Sequence, residues 1–362
     1  MQARRPDCAI LSCRDGFRLN TIQHGQVRWF AAALFVGRVI IPQSMKILIL
    51  CSVLFISTCN AKTDIPTELP KPEPPPSAPP LPKLELKRDA ELEKQFAGIA
   101  NDAKGKVGAA AVVLETGDAA LLNADGHCPM QSVYKLPISM AMMDQIRQDK
   151  HALDEQIGVS KEDFVRPGQA SPLRDKNPNG GIFTIRELIR LAIVESDGTA
   201  SDVLLRVLGG PNAVQDYLSQ IGIEDMKVVN SEKELGQNWE TQYQNWSTPV
   251  AAIEVLRSFE TNVERDSNEV NDVLLDFTTS VVTGPNRLKG QLPKGTIVAH
   301  KTGTSGTRDG ITAATNDIGI IYLPNGKHLA VAVFVSDSPA DEKTREVVIA
   351  RIAKAAWDRW AK

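Results

Sequence analysis

Strand-like stretches lie towards both ends of the globular part of this chain, with a long helix-rich run between them. That order restricts the fold more than any other feature. Val107 to Glu115 and Ala119 to Asn123 are apolar runs parted by Thr116-Gly117-Asp118, a hairpin signal. Strand patterns return only at Ile297 to Lys301, Asp317 to Leu323 and His328 to Val335, the last two separated by the turn Pro324-Asn325-Gly326. Between the two groups, Gln131 to about Phe277 is rich in helical patterns. Leu86 to Lys104 reads as a charged amphipathic helix and Asp341 to Trp360 as a long closing helix. Five strands drawn from both ends form one sheet only when those ends come together. The expected fold is α+β: an α/β sandwich whose antiparallel five-stranded sheet is flanked by helices, with an all-helical subdomain (about residues 131–282) inserted beside it. A cleft is expected between the two parts.

A hydrophobic content of 42% over 362 residues is ample for such a core. The formal charge of −3 carries no sign of the basic stripe of a nucleic-acid binder, so a small-molecule or cell-wall substrate is expected. Of the five cysteines (Cys8, Cys13, Cys51, Cys59 and Cys128), only Cys128 lies in the globular part, which excludes an internal disulfide there. Cys128 reads as a small buried thiol. No Cys/His spacing marks a metal site, and neither a metal nor an organic cofactor is expected.

Met45-Lys46 opens a secretion signal: the lysine precedes the apolar run Ile47 to Ile56, then Ser57-Thr58-Cys59-Asn60-Ala61. The run is shorter than the roughly 20 apolar residues of a membrane-spanning helix. Two readings of its end stand side by side. Cleavage after Ala61 fits a conventional signal peptide, whereas Ile56-Ser57-Thr58-Cys59 resembles a bacterial lipobox with Cys59 as the lipidation site. Residues 1–44 read as an upstream extension rather than a domain, and 62–86 as a proline-rich linker. One domain is expected over 87–362, secreted to the bacterial periplasm, monomeric, and touching a membrane only through a lipid at Cys59.

Four clusters carry the chemistry. Ser132-Val133-Tyr134-Lys135 sets a hydroxyl and an amine one helical turn apart on the same face, where the amine can influence the hydroxyl's proton. Its position at a helix start adds backbone N–H groups and a partial positive charge that favour an anion. In Ser196-Asp197-Gly198, Asp197 reads as the cap of the following helix and Ser196 as a proton relay facing a cleft. Glu232 lies on a polar stretch, with Glu234 and Glu240 nearby. Lys301-Thr302-Gly303-Thr304-Ser305 continues a strand, and a lysine among hydroxyls attracts a carboxylate. Gly303 is expected to leave room for a substrate along the strand edge.

Taken in order, Ser-x-x-Lys, Ser-Asp-x and Lys-Thr-Gly resemble the motif set of class A serine β-lactamases and the related penicillin-binding proteins. The similarity spans roughly residues 88–362 and is greatest to the branch containing PER-, VEB- and CepA-type enzymes. It includes Pro129-Met130-Gln131-Ser132-Val133, Gln242-Tyr243-Gln244-Asn245-Trp246, Arg287-Leu288-Lys289-Gly290 and Thr312-Ala313-Ala314-Thr315-Asn316-Asp317. The resemblance implies that Ser132 attacks a β-lactam carbonyl, with the backbone N–H groups of Ser132 and Thr304 forming an oxyanion hole. It implies that Ser196 protonates the leaving nitrogen. Lys301, Thr302, Gly303, Thr304 and Ser305 would hold the substrate carboxylate, with Arg287 reinforcing the charge. Glu232, seventeen residues before Pro249 of Thr248-Pro249, would activate the water that frees the serine. Either Lys135 or Glu232 would take the serine proton. The alternatives are a D,D-peptidase with peptidoglycan as substrate, or a covalent β-lactam sensor that does not turn over.

Several positions depart from the family pattern. Gly198 and Gly236 stand where asparagines are usual. Each lost hydrogen bond is expected to cost about 1 kcal/mol, or roughly five- to tenfold in rate. Asn230 and Asn245 replace an arginine–aspartate pair that often braces the glutamate's loop. Ala170 replaces an aromatic at the cleft entrance and implies a wider mouth.

Overall fold

The computed structural model describes residues 81–265 and 269–362. The expected upstream extension, the secretion signal with Cys59, and the linker up to residue 80 lie outside the described residues.

The sheet forms because two strands are apolar on both faces, as in a sheet covered on both sides. In Lys106–Val113 and His328–Ser338 the side-chain alternation divides two kinds of packing. Val107, Val113, Leu329, Val331, Val333 and Val335 face the helices formed by the two ends of the domain. Ala110, Ala330 and Ala332 face the helical block, where small side chains let helices approach closely. These strands pair antiparallel in register Val331 to Ala111, at the centre of the sheet. Asp118–Leu122 continues it on one side, and Ile311–Tyr322 with Val298–Thr304 on the other. These are the five expected strands, all antiparallel to their neighbours.

Two short additions make the sheet seven-stranded and mixed. Lys87–Arg88 runs parallel to Asp118–Ala119, inside the stretch expected to be helix. The helix begins only at Ala90, because Asp89 caps it by accepting from the N–H groups of Glu91 and Leu92. At the hairpin, Gly117 has φ +74°, and Lys87 donates to its carbonyl at 2.7 Å. Thr307–Arg308 pairs with Ile311–Thr312 as a small second hairpin on the far edge. The strand expected from Asp317 starts six residues earlier, at Ile311. Its first half carries buried polar groups that hide it from an apolar pattern: Asn316 donates to the carbonyls of Pro129 and Met130, and Asp317 meets His300 Nδ1 at 2.9 Å.

The inserted block packs the helices Lys135–Arg147, Ile185–Val194, Gly198–Leu208 and Pro249–Arg265 into the larger of two apolar clusters. Lys135–Arg147 is apolar on nearly every face and forms the block's centre, as a helix buried all round should. Cys128 is buried as expected, and its burial pushes the thiol up to about 12.

Asp197 is a structural tie as well as a cap. Completely buried, it accepts from Ala200 N at 2.8 Å, Leu173 N at 2.6 Å and Ser171 Oγ at 3.0 Å. Asp197→Ala leaves two buried N–H groups without acceptors, at about 1–3 kcal/mol each. Thermal unfolding of the variant should show a loss of roughly 2–5 kcal/mol, whereas a loss within 0.5 kcal/mol would remove Asp197 from this structural role.

Candidate active site

Ser132 sits in a 3-10 turn, Gln131–Tyr134, that leads directly into the helix starting at Lys135. Lys135 is 1% exposed, so its ammonium must find acceptors inside the protein. It finds three: Ser132 Oγ at 3.0 Å, the Ser196 carbonyl at 2.8 Å and Glu232 Oε2 at 3.1 Å. These use all three of its hydrogens and join three separate parts of the chain. Ser196 reaches its place through a left-handed backbone, φ +57°, which is uncommon for a residue with a side chain. That conformation turns its carbonyl to Lys135 while its Oγ accepts from Lys301 Nζ at 2.9 Å. One chain of polar contacts therefore runs from Glu232 through Lys135 to Ser132, and from the Ser196 backbone through its hydroxyl to Lys301.

The three glutamates differ in what they touch. Glu234 is taken up in a capping box, accepting from the N–H and hydroxyl of Ser231, and Glu240 is an exposed partner of Arg308. Only Glu232 approaches Lys135 and, through it, the serine. Its Oε2 also accepts from Tyr134 Oη at 2.7 Å. Burial raises the Glu232 carboxyl. The Lys135 charge, the hydrogen bonds from Tyr134 and Lys135, and the Lys301 charge outweigh that rise and hold it below the ordinary 4.5. Tyr134 is completely buried, and burial and the glutamate's charge push its phenol well above the ordinary range, so it stays a donor. Burial and then the Lys135 charge carry Lys301 well below the usual lysine value, against the pull of Asp317 and Glu232.

The Lys-Thr-Gly strand differs in detail from expectation. A Cβ on Gly303 would lie 2.2 Å from the Met130 carbonyl and 3.2 Å from Gln131 Cβ. The glycine thus lets the strand lie against the turn carrying Ser132, a tighter constraint than room for a substrate. Thr302 is buried, with its hydroxyl against Thr283 Oγ1. Arg287 is 3% exposed: it pairs with Glu346 at 3.1 Å, donates to the carbonyls of Gly303 and Asn316, and reaches Thr304 Oγ1 at 2.8 Å. It braces this strand and touches the cleft only through Thr304. Thr304 and Ser305 line a cleft of about 480 Å³, together with Gln131, Gln169, Glu232 and Trp239. Ala170 is exposed, and its carbonyl accepts from Gly198 N at 2.9 Å.

The family model of the β-lactamase enzyme family matches residues 91–360. The chain belongs to this family. It is 39% identical over 242 residues to β-lactamase VEB-1 of Pseudomonas aeruginosa, covering 67% of this chain and 81% of that one. To the extended-spectrum β-lactamase PER-1 of the same species it is 38% identical over 267 residues, covering 74% and 86%. Among solved structures it is similar to a β-lactamase from Chitinophaga pinensis, with a TM-score of 0.72 and 41% identity over 74% of this chain and 99% of that one. It is equally similar to the extended-spectrum β-lactamase TLA-3, with a TM-score of 0.72 and 42% identity over 75% and 99%.

Three residues of the site were not singled out from the sequence. Tyr134 occupies a free position of the Ser-x-x-Lys tetrad. Asp202 accepts from Glu232 N at 2.7 Å and Lys233 N at 2.9 Å. Gln169 donates to the Glu232 carbonyl. The loop-bracing pair is also replaced rather than lost. Asn245, fully buried, accepts from the N–H groups of Val229 and Asn230 and donates to the Asn230 carbonyl, so it holds backbone where an ion pair would hold side chains. Removing the phenol's hydrogen bond should raise the Glu232 carboxyl's pKa. A carbon-13 titration of glutamate-labelled Tyr134→Phe is expected to show a midpoint higher than wild type by several tenths of a unit or more, and an unchanged midpoint would break the Tyr134–Glu232 link.

Proposed function

We propose that this enzyme hydrolyses the β-lactam amide of penicillins and cephalosporins through an ester to Ser132. The observation that carries the reading is the shared ammonium of Lys135, 3.0 Å from the serine hydroxyl and 3.1 Å from Glu232. Lactamases, peptidases and sensors all need the activated serine; the carboxylate poised beside it adds a base for the water that frees a lactam-derived ester.

Ser132 Oγ attacks the lactam carbonyl, and its proton passes to Lys135 as that ammonium gives one of its own to Glu232. The backbone N–H groups of Ser132 and Thr304 stabilise the oxyanion, each worth about 2.7–4 kcal/mol. The C–N bond breaks, and the nitrogen takes a proton from Ser196 Oγ. Ser196 is replenished from Lys301, whose lowered proton affinity suits it to donate, and the serine's proton held on Glu232 returns through Lys135 to recharge Lys301, so the carboxylate is ionised again before the second half. Lys301, Thr304 and Ser305 orient the substrate carboxylate, Thr302 packs behind them against Thr283, and Arg287 positions Thr304. In the second half, water gives a proton to Glu232 as its oxygen attacks the ester, and Ser132 leaves with a proton restored. Glu232 Oε2 already accepts from Tyr134 and Lys135, so Oε1 is the oxygen assigned to the water. Residues 45–61 would direct the enzyme to the periplasm, either cleaved after Ala61 or anchored through Cys59.

Intact-protein mass spectrometry during turnover of a chromogenic cephalosporin tests the two halves separately. Wild type should change the colour rapidly with no lasting adduct, Ser132→Ala should form none, and Glu232→Gln should accumulate one. Rapid turnover by Glu232→Gln would remove its role, and a lasting one-to-one adduct on wild type would favour the peptidase or sensor. Because the base must be ionised and is held below the ordinary carboxylate value, the acid limb of kcat/KM, which reports the free enzyme, should lie below about 4.5, and a limb above it would break the assignment.

A further inference from the structure

The two glycines that depart from the family pattern are both packed against by other parts of the chain. A Cβ on Gly236 would lie 2.7 Å from the amide carbon and oxygen of Gln169 and 2.8 Å from its nitrogen. A Cβ on Gly198 would lie 2.7 Å from Glu232 Cγ and 3.2 Å from both the Ala170 carbonyl and Val165 Cγ1. The space beside the two glycines is thus filled by the segment 165–170 and by Glu232 itself.

This segment also holds the glutamate's backbone. Glu232 begins a helix of only four residues, Glu232–Leu235, which cannot stabilise itself. Asp202 accepts its first two N–H groups, and the segment 165–170 supplies donors to its carbonyls. Gln169 Nε2 donates to the Glu232 carbonyl, and Arg166 Nε donates to that of Lys233 at 3.2 Å. The other end of the Gln169 amide is also engaged, because its Oε1 accepts from Arg166 N at 3.0 Å. Behind the segment, Arg174 donates to the carbonyls of Val165, Arg166 and Gln169 at 3.0–3.2 Å. Gln169 is thus fixed from one side and clamps Glu232 on the other.

We propose that Gln169 is the positioning residue of the deacylation step, holding the Glu232 peptide in place and occupying the volume a side chain at 236 would need. This rests on the assignment of Glu232 to deacylation. It reverses the sequence expectation for Gly236: the glycine is the docking surface for Gln169, and a larger residue there is harmful while Gln169 is present.

The test is a cycle of Gln169→Ala, Gly236→Asn and the double variant, with acylation followed by stopped flow and deacylation by decay of the trapped ester's mass. Gln169→Ala should acylate within twofold of wild type and deacylate roughly five- to tenfold more slowly, lowering kcat and KM together. Gly236→Asn alone should be slower than wild type, because its Cβ collides with the Gln169 amide. In the Gln169→Ala background the same asparagine should raise the deacylation rate. That change of sign separates exchange of one brace for another from general loosening, which would slow both steps and make the asparagine harmful in both backgrounds. Unchanged deacylation in Gln169→Ala, or equal loss in both steps, overturns the proposal. Glu232→Gln run in parallel keeps the two claims apart. If it traps the ester while Gln169→Ala does not slow, only the positioning role fails; if it turns over freely, the assignment of Glu232 fails.

Discussion

A lysine ammonium with almost no access to water must be compensated inside the protein or abandon its charge, and Lys135 is in that position. Only one of its three acceptors, Ser132, is local. The Ser196 carbonyl comes from the link between two helices of the inserted block, and Glu232 from a short helix far along the chain. Burying the cation without either would cost several kcal/mol, so the same interaction that activates the serine requires those segments to converge.

The sheet edge is drawn to this point by backbone contacts rather than by side-chain packing. Gly303 lets the strand Val298–Thr304 touch the turn before Ser132, and Asn316 donates to the carbonyls of Pro129 and Met130 from the next strand. Arg287 then ties the Gly303 and Asn316 carbonyls together. Two residues of the site carry left-handed backbones, Gln131 at φ +49° and Ser196 at φ +57°. Each costs of order 1 kcal/mol and persists only where its surroundings over-determine it. Both adjoin or form reactive serines, and in both the surrounding contacts are the ones just described.

What was legible in the sequence follows from the kind of force involved. Alternation of apolar residues reports which strand faces are buried, so the five long strands and the closing helix were readable. Fixed spacing reports groups held on one rigid element, so the pairing of Ser132 with Lys135 was readable, whereas Glu232 was picked out by the resemblance, through its distance to Pro249. Hydrogen bonds between remote segments leave no periodic trace. Tyr134, Asp202 and Gln169 each meet Glu232 from a separate part of the chain, and no spacing marks any of them. The polar first half of the strand Ile311–Tyr322 was missed for the same reason, because its buried polar groups are satisfied by partners distant in sequence. The glycines pose the opposite problem. A missing side chain was read as a missing interaction, whereas Gln169 stands within 2.8 Å of the place a Cβ at 236 would take.

The two acidic groups at the site are separated by their surroundings into different chemical states. Glu232 and Asp202 are near neighbours, yet Glu232 is held below the ordinary carboxylate value, while burial raises Asp202 to about 7, against the pull of the N–H groups of Lys233 and Glu232. The difference lies in the donors. Glu232 receives a full positive charge from Lys135 and a phenolic hydrogen bond on the same oxygen, whereas Asp202 receives two uncharged N–H groups and feels the glutamate's negative charge. Two carboxylates this close do not both ionise freely, and the one paired with the cation keeps its charge. The arrangement leaves a single strong anion beside the serine, with one oxygen occupied and the other open, while the second carboxyl serves as a backbone clamp. The asymmetry comes from which carboxyl has the Lys135 charge at hydrogen-bonding distance and which is held by N–H dipoles, and the deacylation proposed for Glu232 would use it.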